Sequence, residues 1–250
     1  MIPKIIHQTA PKDKNKWHPI WEQCHKSWKI NFPENEYQHI MWTDEDIDIF
    51  VKNEYPQYYT YFNNLPFHIM QIDFFRYCVL HKYGGIYADM DLFCYKNFYS
   101  ELSSNICLTE STCVDEIVQN NLMVSEPNHI FFKACIDFSK ITDEDMKYVF
   151  DKAYFVKKKS GPYYLSEVFK FYKFKNKIQI LSAEYFNGRY DTFDHKYRTR
   201  HMLTNVWGSE DINFCLEQTN DKTDLKQVFK NSYNLSKKIN LDTFDFYKNQ

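Results

Sequence analysis

Asp89-Met90-Asp91 sets two carboxylates two residues apart, directly after Tyr83-Gly84-Gly85-Ile86-Tyr87-Ala88. That preceding stretch reads as a helix stop, a paired-glycine turn and a short apolar strand. The acids therefore sit at the carboxyl end of a strand, where open α/β sheets form their ligand crevice. In an extended segment residues i and i+2 point the same way, so both carboxylates can face one ion. Hard oxygen donors suit Mg²⁺ or Mn²⁺, which keep part of their shell for substrate phosphates. A diphosphate bridged by the metal would complete the coordination. The Asp-x-Asp pattern alone decides little, because Asp44/Asp46, Asp46/Asp48 and Asp143/Asp145 repeat it. Those three read as solvated acids at helix starts. Strand context is what sets Asp89 and Asp91 apart.

Just upstream lie Asp73 and Arg76, three apart and hence on one face of a helix. Their neighbours are largely apolar, and two readings stand side by side: an internal salt bridge, or a polar ledge that hydrogen-bonds a sugar. Lys157-Lys158-Lys159 precedes Ser160-Gly161-Pro162. Such a run reads first as a solvated loop, with an anionic acceptor or a membrane surface as the functional alternatives. Seven cysteines without a Cys-x-x-Cys pair fit neither a disulfide framework nor a zinc cluster. Buried thiols in a reducing compartment are the expectation.

The elements that must position these groups can be read from periodicity. Strands are expected at 2–7, 37–42, 86–88, 105–109 and 177–181. Helices are expected at 18–31, from the Thr43 N-cap with its acidic first turn, at 67–83, at 129–140 and at 163–173. Residues 55–64 read as short helix or turn, and 221–247 as a polar helix. The 67–83 helix is the clearest, because Ile69, Met70, Ile72, Phe75, Cys78, Val79 and Leu80 give it a broad apolar surface and Gly84 stops it. Alternating strands and helices favour an α/β sheet. No linker rich in Pro, Gly or Ser divides the chain, so one domain over residues 1–250 is expected.

Composition excludes several function classes. The 250 residues carry 31 Lys+Arg against 33 Asp+Glu, so the chain is not built to neutralise nucleic-acid phosphates, and no nucleic-acid partner is expected. A hydrophobic fraction of 44% rules out general disorder. Nothing approaches the ~20 consecutive apolar residues of a transmembrane helix, and the amino terminus lacks a signal-peptide pattern. A cytoplasmic location is the expectation, with peripheral membrane association open. Glycine is scarce, at 5 residues, so each should sit where the backbone needs it.

Two segments carry a family resemblance: Ile2-Pro3-Lys4-Ile5-Ile6-His7-Gln8-Thr9, and Ile72-Asp73-Phe74-Phe75-Arg76-Tyr77 followed after six residues by Gly84-Gly85-Ile86-Tyr87-Ala88-Asp89-Met90-Asp91. They resemble the family 32 glycosyltransferases, whose DXD-type sugar-binding region is also related to the core of the clostridial glucosylating toxins. Weaker similarity continues through Asn121–Phe131, Ser160-Gly161-Pro162, and His201 with Trp207. The resemblance implies a GT-A (Rossmann-like) fold with a helical C-terminal portion. It also implies a nucleotide-sugar donor, a divalent metal (Mn²⁺ or Mg²⁺), and transfer to a glycan or other hydroxyl acceptor with retained anomeric configuration. By carry-over, Asp89, Asp91 and His201 hold the metal, with Asp91 the more direct ligand. Asp73 and Arg76 hold sugar hydroxyls and phosphate, and with Asp91 form the catalytic set. His7, Gln8 and Thr9 line the nucleoside pocket, Tyr87 helps hold the nucleotide, and Asn121 touches donor or acceptor. Ala10 departs from the family, which commonly has Trp after His-Gln-Thr; Trp17 is the candidate replacement.

The implied mechanism is a front-face reaction in which the leaving phosphate oxygen helps take the acceptor proton, so no general base is nominated. Double displacement through Asp73 is the competing route. A UDP-sugar is the favoured donor and GDP-mannose the alternative. An inactive sugar-nucleotide-binding protein and a metal-dependent phosphohydrolase remain as rival readings. The acceptor, the linkage and the oligomeric state are not legible.

Overall fold

A computed structural model describes residues 1–147, 149, 151–187 and 196–204. The expected helix at 221–247, the helical C-terminal portion and Trp207 lie outside the described residues. In chain order the elements begin with β1 (Ile5–Thr9), α1 (Trp21–Asn31), β2 (Gln38–Trp42), α2 (Asp44–Glu54), α3 (Pro56–Asn63), α4 (His68–Tyr83), β3 (Gly85–Ala88) and β4 (Leu92–Cys94). They continue with β5 (Ile106–Glu110), β6 (Val118–Ser125), α5 (Ile130–Asp137), α6 (Asp143–Met146), α7 (Lys152–Lys159), α8 (Pro162–Phe171), β7 (Gln179–Leu181), α9 (Ala183–Phe186) and β8 (Thr199–His201).

Six strands form one mixed sheet in the order β2-β1-β3-β6-β5-β7. β1 runs parallel to β2 and β3, while β6 runs antiparallel to both β3 and β5. The carboxyl ends of β1 and β3 therefore share an edge with the amino end of β6 and the 111–117 turn. Every residue of β3 and β6 is buried, as expected of central strands covered on both faces. One core, on the side of α2 to α5, α7 and α8, includes Phe74, Phe75, Tyr87, Met123 and Leu165. The other lies on the α1 side and includes Trp28, Phe32, Ile86, Phe98 and Val124. The α/β class expected from the sequence is the class observed.

α4 is apolar nearly all round, which marks a helix buried within the core rather than lying on it. Its stop depends on two glycines. Gly84 has φ +64°, and a Cβ there would lie 2.7 Å from the Pro127 nitrogen and the Ser125 carbonyl oxygen. Gly85 has φ +91°, and a Cβ there would lie 2.5 Å from the carbonyl oxygen of Ile5, its neighbour in the sheet. Only a residue without a side chain lets β3 enter between β1 and β6 at this angle.

Several boundaries differ from the sequence reading. The first strand spans Ile5–Thr9 rather than 2–7; Pro3 has no N–H to give a ladder. β6 was not expected, because Gln119-Asn120-Asn121 interrupts its apolar pattern. β4 and β8, three residues each, were too short to show a period. The lysine run is not a loop: it forms the last turn of α7, where cations oppose the helix dipole favourably. Asp145 is not a solvated acid. It closes a capping box with Thr142, is 8% exposed and pairs with Lys159 at 2.6 Å.

Candidate active site

Asp73 and Arg76 face the sheet from the middle of α4, at 2% and 6% exposure. Arg76 reaches three acceptors: Nη1 donates to Asp73 Oδ1 at 2.7 Å, Nη2 pairs with Asp89 Oδ1 at 2.9 Å, and Nε donates to Tyr87 Oη at 3.0 Å. The planar fork of a guanidinium suits such divergent partners. Tyr87 Oη donates in turn to Asp89 Oδ1 at 3.0 Å. With that hydrogen committed, the 3.1 Å contact to Thr9 must have Thr9 Oγ1 as donor. Asp73 also accepts from Asn120 Nδ2 at 2.9 Å on Oδ1 and from Ser160 Oγ at 2.8 Å on Oδ2. Asp73 and Arg76 are therefore an internal salt bridge, and that bridge stands against Asp89.

Asp91 is held differently. Thr204 donates to its Oδ2 from the backbone nitrogen at 3.0 Å and from Oγ1 at 2.9 Å. His201 Nε2 lies 3.3 Å from Oδ1. The β4–β8 ribbon makes this meeting possible: Leu92 pairs with His201, and the Met202 nitrogen donates to the Asp91 carbonyl. Ligand atoms of Asp89, Asp91 and His201 all lie within 4.8 Å of one another. Two carboxylates and an imidazole form a donor set that could hold a divalent cation, and the three expected metal ligands are brought together.

The two acids titrate in opposite directions. Burial pushes Asp89 up to about 6; Arg76 opposes the shift, and the charge of Asp91 adds to it. Burial would raise Asp91 as well, but the hydrogen bond and charge of His201, with the donors of Thr204, hold it down at about 2. Burial also raises Asp73, against the pull of Arg76, Ser160 and Asn120. Burial works against the charge on Arg76, yet Asp89, Tyr87 and Asp73 keep its pKa well above the usual value. The site thus sets Asp73 and Asp89 around a single guanidinium, with Asp91 beside Asp89. That excess of negative charge is what a bound cation would neutralise.

The remaining expected residues divide. Both ring nitrogens of His7 are occupied: Nε2 donates to the Gly84 carbonyl at 2.9 Å, and Nδ1 accepts from Trp42 Nε1 at 3.2 Å. Burial lowers its pKa to about 4, so it is a neutral structural bridge. Its ring nitrogens are thus spent inside the protein, on Gly84 and Trp42, at the place where the resemblance puts the nucleoside pocket. Tyr87 is likewise fully buried, with its hydroxyl bonded to Arg76 and Asp89. Gln8 Oε1 meets His25 Nδ1 at 2.7 Å, while its buried Nε2 has no partner among the described residues. Asn121 sits beside Asp89, whose backbone nitrogen donates to the Asn121 carbonyl at 2.9 Å. Its side chain is buried with neither amide atom hydrogen-bonded among the described residues. Trp17, the candidate for the missing family Trp, packs edge-on against His25 with centroids 6.3 Å apart.

Three residues of the web escaped the sequence reading: Asn120, Ser160 and Thr204. Ser160 lies in a segment noted only for resemblance, and Asn120 and Thr204 stand one and three positions from residues that were named. Each is a small neutral donor whose role appears only when a carboxylate faces it.

Comparison with known proteins follows this geometry. Residues 19–114 match the family described as glycosyltransferase sugar-binding region containing DXD motif. Mannosyl phosphorylinositol ceramide synthase SUR1 of Saccharomyces cerevisiae is 34% identical over 173 residues, covering 69% of this chain and 43% of that protein. Inositol phosphoceramide mannosyltransferase 1 of Schizosaccharomyces pombe is 31% identical over 207 residues, covering 78% of this chain and 60% of that protein. An uncharacterized glycosyltransferase, L373 of Acanthamoeba polyphaga mimivirus, is 33% identical over 142 residues, covering 53% of each. The chain spans 43% to 60% of the length of these relatives. Among solved structures, PaToxG glycosyltransferase superposes with a TM-score of 0.46 at 16% identity, over 67% of each chain.

Proposed function

We propose that this chain, whose residues 19–114 belong to the glycosyltransferase sugar-binding family with a DXD motif, transfers a hexosyl group from a nucleotide sugar to a hydroxyl acceptor. The observation that carries this reading is the convergence of Asp73, Arg76, Asp89, Asp91 and His201 at one sheet edge, from elements 128 positions apart in sequence. The placement of the acidic pair past a central strand of a mixed sheet supports the GT-A arrangement implied by the resemblance. The named mannosyltransferases among the relatives move the preferred donor from a UDP-sugar to GDP-mannose. Their names also favour an acceptor hydroxyl on an inositol-phosphate lipid.

In this reading Asp89, Asp91 and His201 hold a divalent cation, which supplies Lewis-acid charge opposite the donor diphosphate. Arg76 spends three of its five N–H groups on Asp73, Tyr87 and Asp89, which leaves two for a donor oxygen. Asp73 is oriented by three donors and accepts from a sugar hydroxyl through its remaining lone pair on Oδ2. The same donors withdraw charge from both its oxygens, which makes it a poor nucleophile and supports the front-face route over double displacement. Asn121 and Gln8 offer unpaired amide groups to the donor. Thr9 has its hydroxyl committed to Tyr87.

Donor hydrolysis across a nucleotide-sugar panel, with Mn²⁺ and then with chelator, tests the reading. Release of GDP from GDP-mannose that stops on chelation is expected. Release from a UDP-sugar instead would keep the transferase and replace the donor. No release from any donor, together with no metal-dependent nucleotide binding, would overturn it in favour of an inactive fold.

A further inference from the structure

The turn between β5 and β6 lies at the same sheet edge as Asp89, because β6 runs antiparallel to β3. At its tip Val114 is fully exposed, and Ile117 is 45% exposed. Glu116 folds inward, accepting from Ser111 Oγ and Gln119 Nε2, so the tip presents apolar side chains with Asp115 as its one exposed carboxylate. Tyr163 at the start of α8 adjoins this turn and feels the charges of Glu116 and Asp115. Ser166, one turn further along α8, anchors the turn by accepting from the Ile117 and Val118 nitrogens at 2.9 and 3.1 Å.

Tyr163 also meets Tyr154 of α7, ring centroids 5.9 Å apart. Each of these rings carries an ammonium group: Lys157 lies 5.9 Å from the Tyr163 centroid and Lys158 5.4 Å from that of Tyr154. Lys159 turns away to Asp145 and takes no part. The result is a continuous surface of two aliphatic side chains at a tip, two half-exposed tyrosines behind them, and two lysines over the tyrosines. Ser160, which donates to Asp73, closes the same helical turn as these lysines, so the surface borders the active site.

We propose that this surface docks the protein on an anionic lipid bilayer. The order of the groups matches the depth profile of a membrane interface. Aliphatic side chains enter the acyl boundary, tyrosines sit at headgroup level, and lysines extend along the rings to anionic headgroups. The two ammonium groups outweigh Asp115. This inference deepens the transferase reading, since it presents a lipid-borne hydroxyl at the edge where the donor site opens, and it rests on that reading only for this consequence.

The test is co-sedimentation of the intact chain with vesicles of phosphatidylcholine alone and of phosphatidylcholine with 30% phosphatidylserine (roughly the anionic content of a charged leaflet). Binding to the anionic vesicles, weakened by salt, is expected. Each surface lysine near a charged membrane is worth about fivefold in affinity, so K157E/K158E should lose more than about 20-fold. V114D/I117D should lose at least about tenfold by removing the apolar tip. A retained circular-dichroism spectrum and unchanged hydrolysis of soluble donor in both double variants establish that only docking was touched; K157E/K158E places acids at the carboxyl end of α7, so a modest fall in melting temperature is expected for that variant alone. No binding to anionic vesicles, or binding that neither double variant weakens, overturns the proposal. Because sedimentation needs no turnover, failure of docking and failure of the transferase reading give different results.

Discussion

Replacing Ser160 by Ala removes one donor from a carboxylate that is almost wholly buried. Asp73 is 2% exposed, and Ser160 supplies the only hydrogen bond to its Oδ2 among the described residues, at 2.8 Å. Oδ1 keeps Arg76 and Asn120. A hydrogen bond to a charged, buried group is worth about 1.5–3 kcal/mol, and no solvent is present to replace it. For a chain of this size each kcal/mol moves the midpoint by about 2–4 °C, so Ser160→Ala should lower Tm by roughly 3–12 °C at neutral pH. The deficit has a pH signature. The folded-state pKa of Asp73 is already raised by burial, and the lost donor raises it further. Once the carboxyl is protonated the missing bond matters less, so the gap between variant and wild type should narrow as pH falls through that raised range.

Ser166→Ala provides the control. Ser166 is also a buried serine, and its hydroxyl serves the backbone of β6 rather than Asp73. It should lose stability without a pH-dependent gap and without loss of donor affinity. Thermal melts from pH 5 to pH 8, with nucleotide-sugar titration at pH 7.5, measure both quantities. A Ser160→Ala variant with unchanged donor affinity, and with a Tm deficit that does not depend on pH, would refute the idea that Ser160 orients an ionised Asp73.

Other perturbations follow from the same geometry. His7 is buried neutral with a pKa of about 4 against 6.5 when unfolded, so stability is complete above pH 6.5 and declines as pH falls toward 4. That single group accounts for on the order of 3 kcal/mol, and His7→Gln should flatten the acid limb of urea-denaturation stability by that amount. Gly84→Ala forces a side chain into φ +64° with Cβ contacts of 2.7 Å; a loss of at least about 3 kcal/mol is expected by denaturant melts, and a loss below 1 kcal/mol would mean β3 can shift. Asp91→Asn should weaken Mn²⁺ binding by calorimetry beyond the roughly 10–100-fold that loss of an outer partner costs, while leaving the circular-dichroism spectrum unchanged. Equal Mn²⁺ affinity in Asp91→Asn and Asp89→Asn, both matching wild type, would remove the metal from this site.

Local signals made most of this legible. The apolar surround of Asp73 and Arg76, the glycine stop and the acid pair marked one end of one strand, and that end is where the web forms. Thr43 with its acidic first turn announced α2 correctly, and the structure adds a capping box with Asp46. What stayed hidden depended on partners distant in sequence. His201 reaches Asp91 through two three-residue strands that have no periodicity to read. β6 was masked by Asn120 and Asn121, whose polarity belongs to the site rather than to the strand. The lysine run looked like a loop because charge density says nothing about the helix that carries it. His7 looked like a ligand because a histidine at a strand end has the same sequence whether its nitrogens are free or consumed by Gly84 and Trp42.

The opposed titration of Asp89 and Asp91 bears on how the acid pair divides its work. Arg76 and Tyr87 both engage Asp89 Oδ1, so that oxygen is committed inside the protein before any ligand arrives. Burial then leaves Asp89 near its titration point at about 6. Asp91, at about 2, is ionised at any pH the protein would meet. Thr204 saturates its Oδ2, which leaves Oδ1 to face His201. A cation arriving at the site therefore finds one permanently charged oxygen at Asp91 and a proton-competitive one at Asp89. Binding at pH 6 should release part of a proton, whereas binding at pH 8 should release almost none. Calorimetry of Mn²⁺ binding in buffers of differing ionisation heat reads that number directly. A proton release that stays constant between pH 6 and pH 8 would show that Asp89 is already ionised, and that Arg76 rather than burial sets its charge.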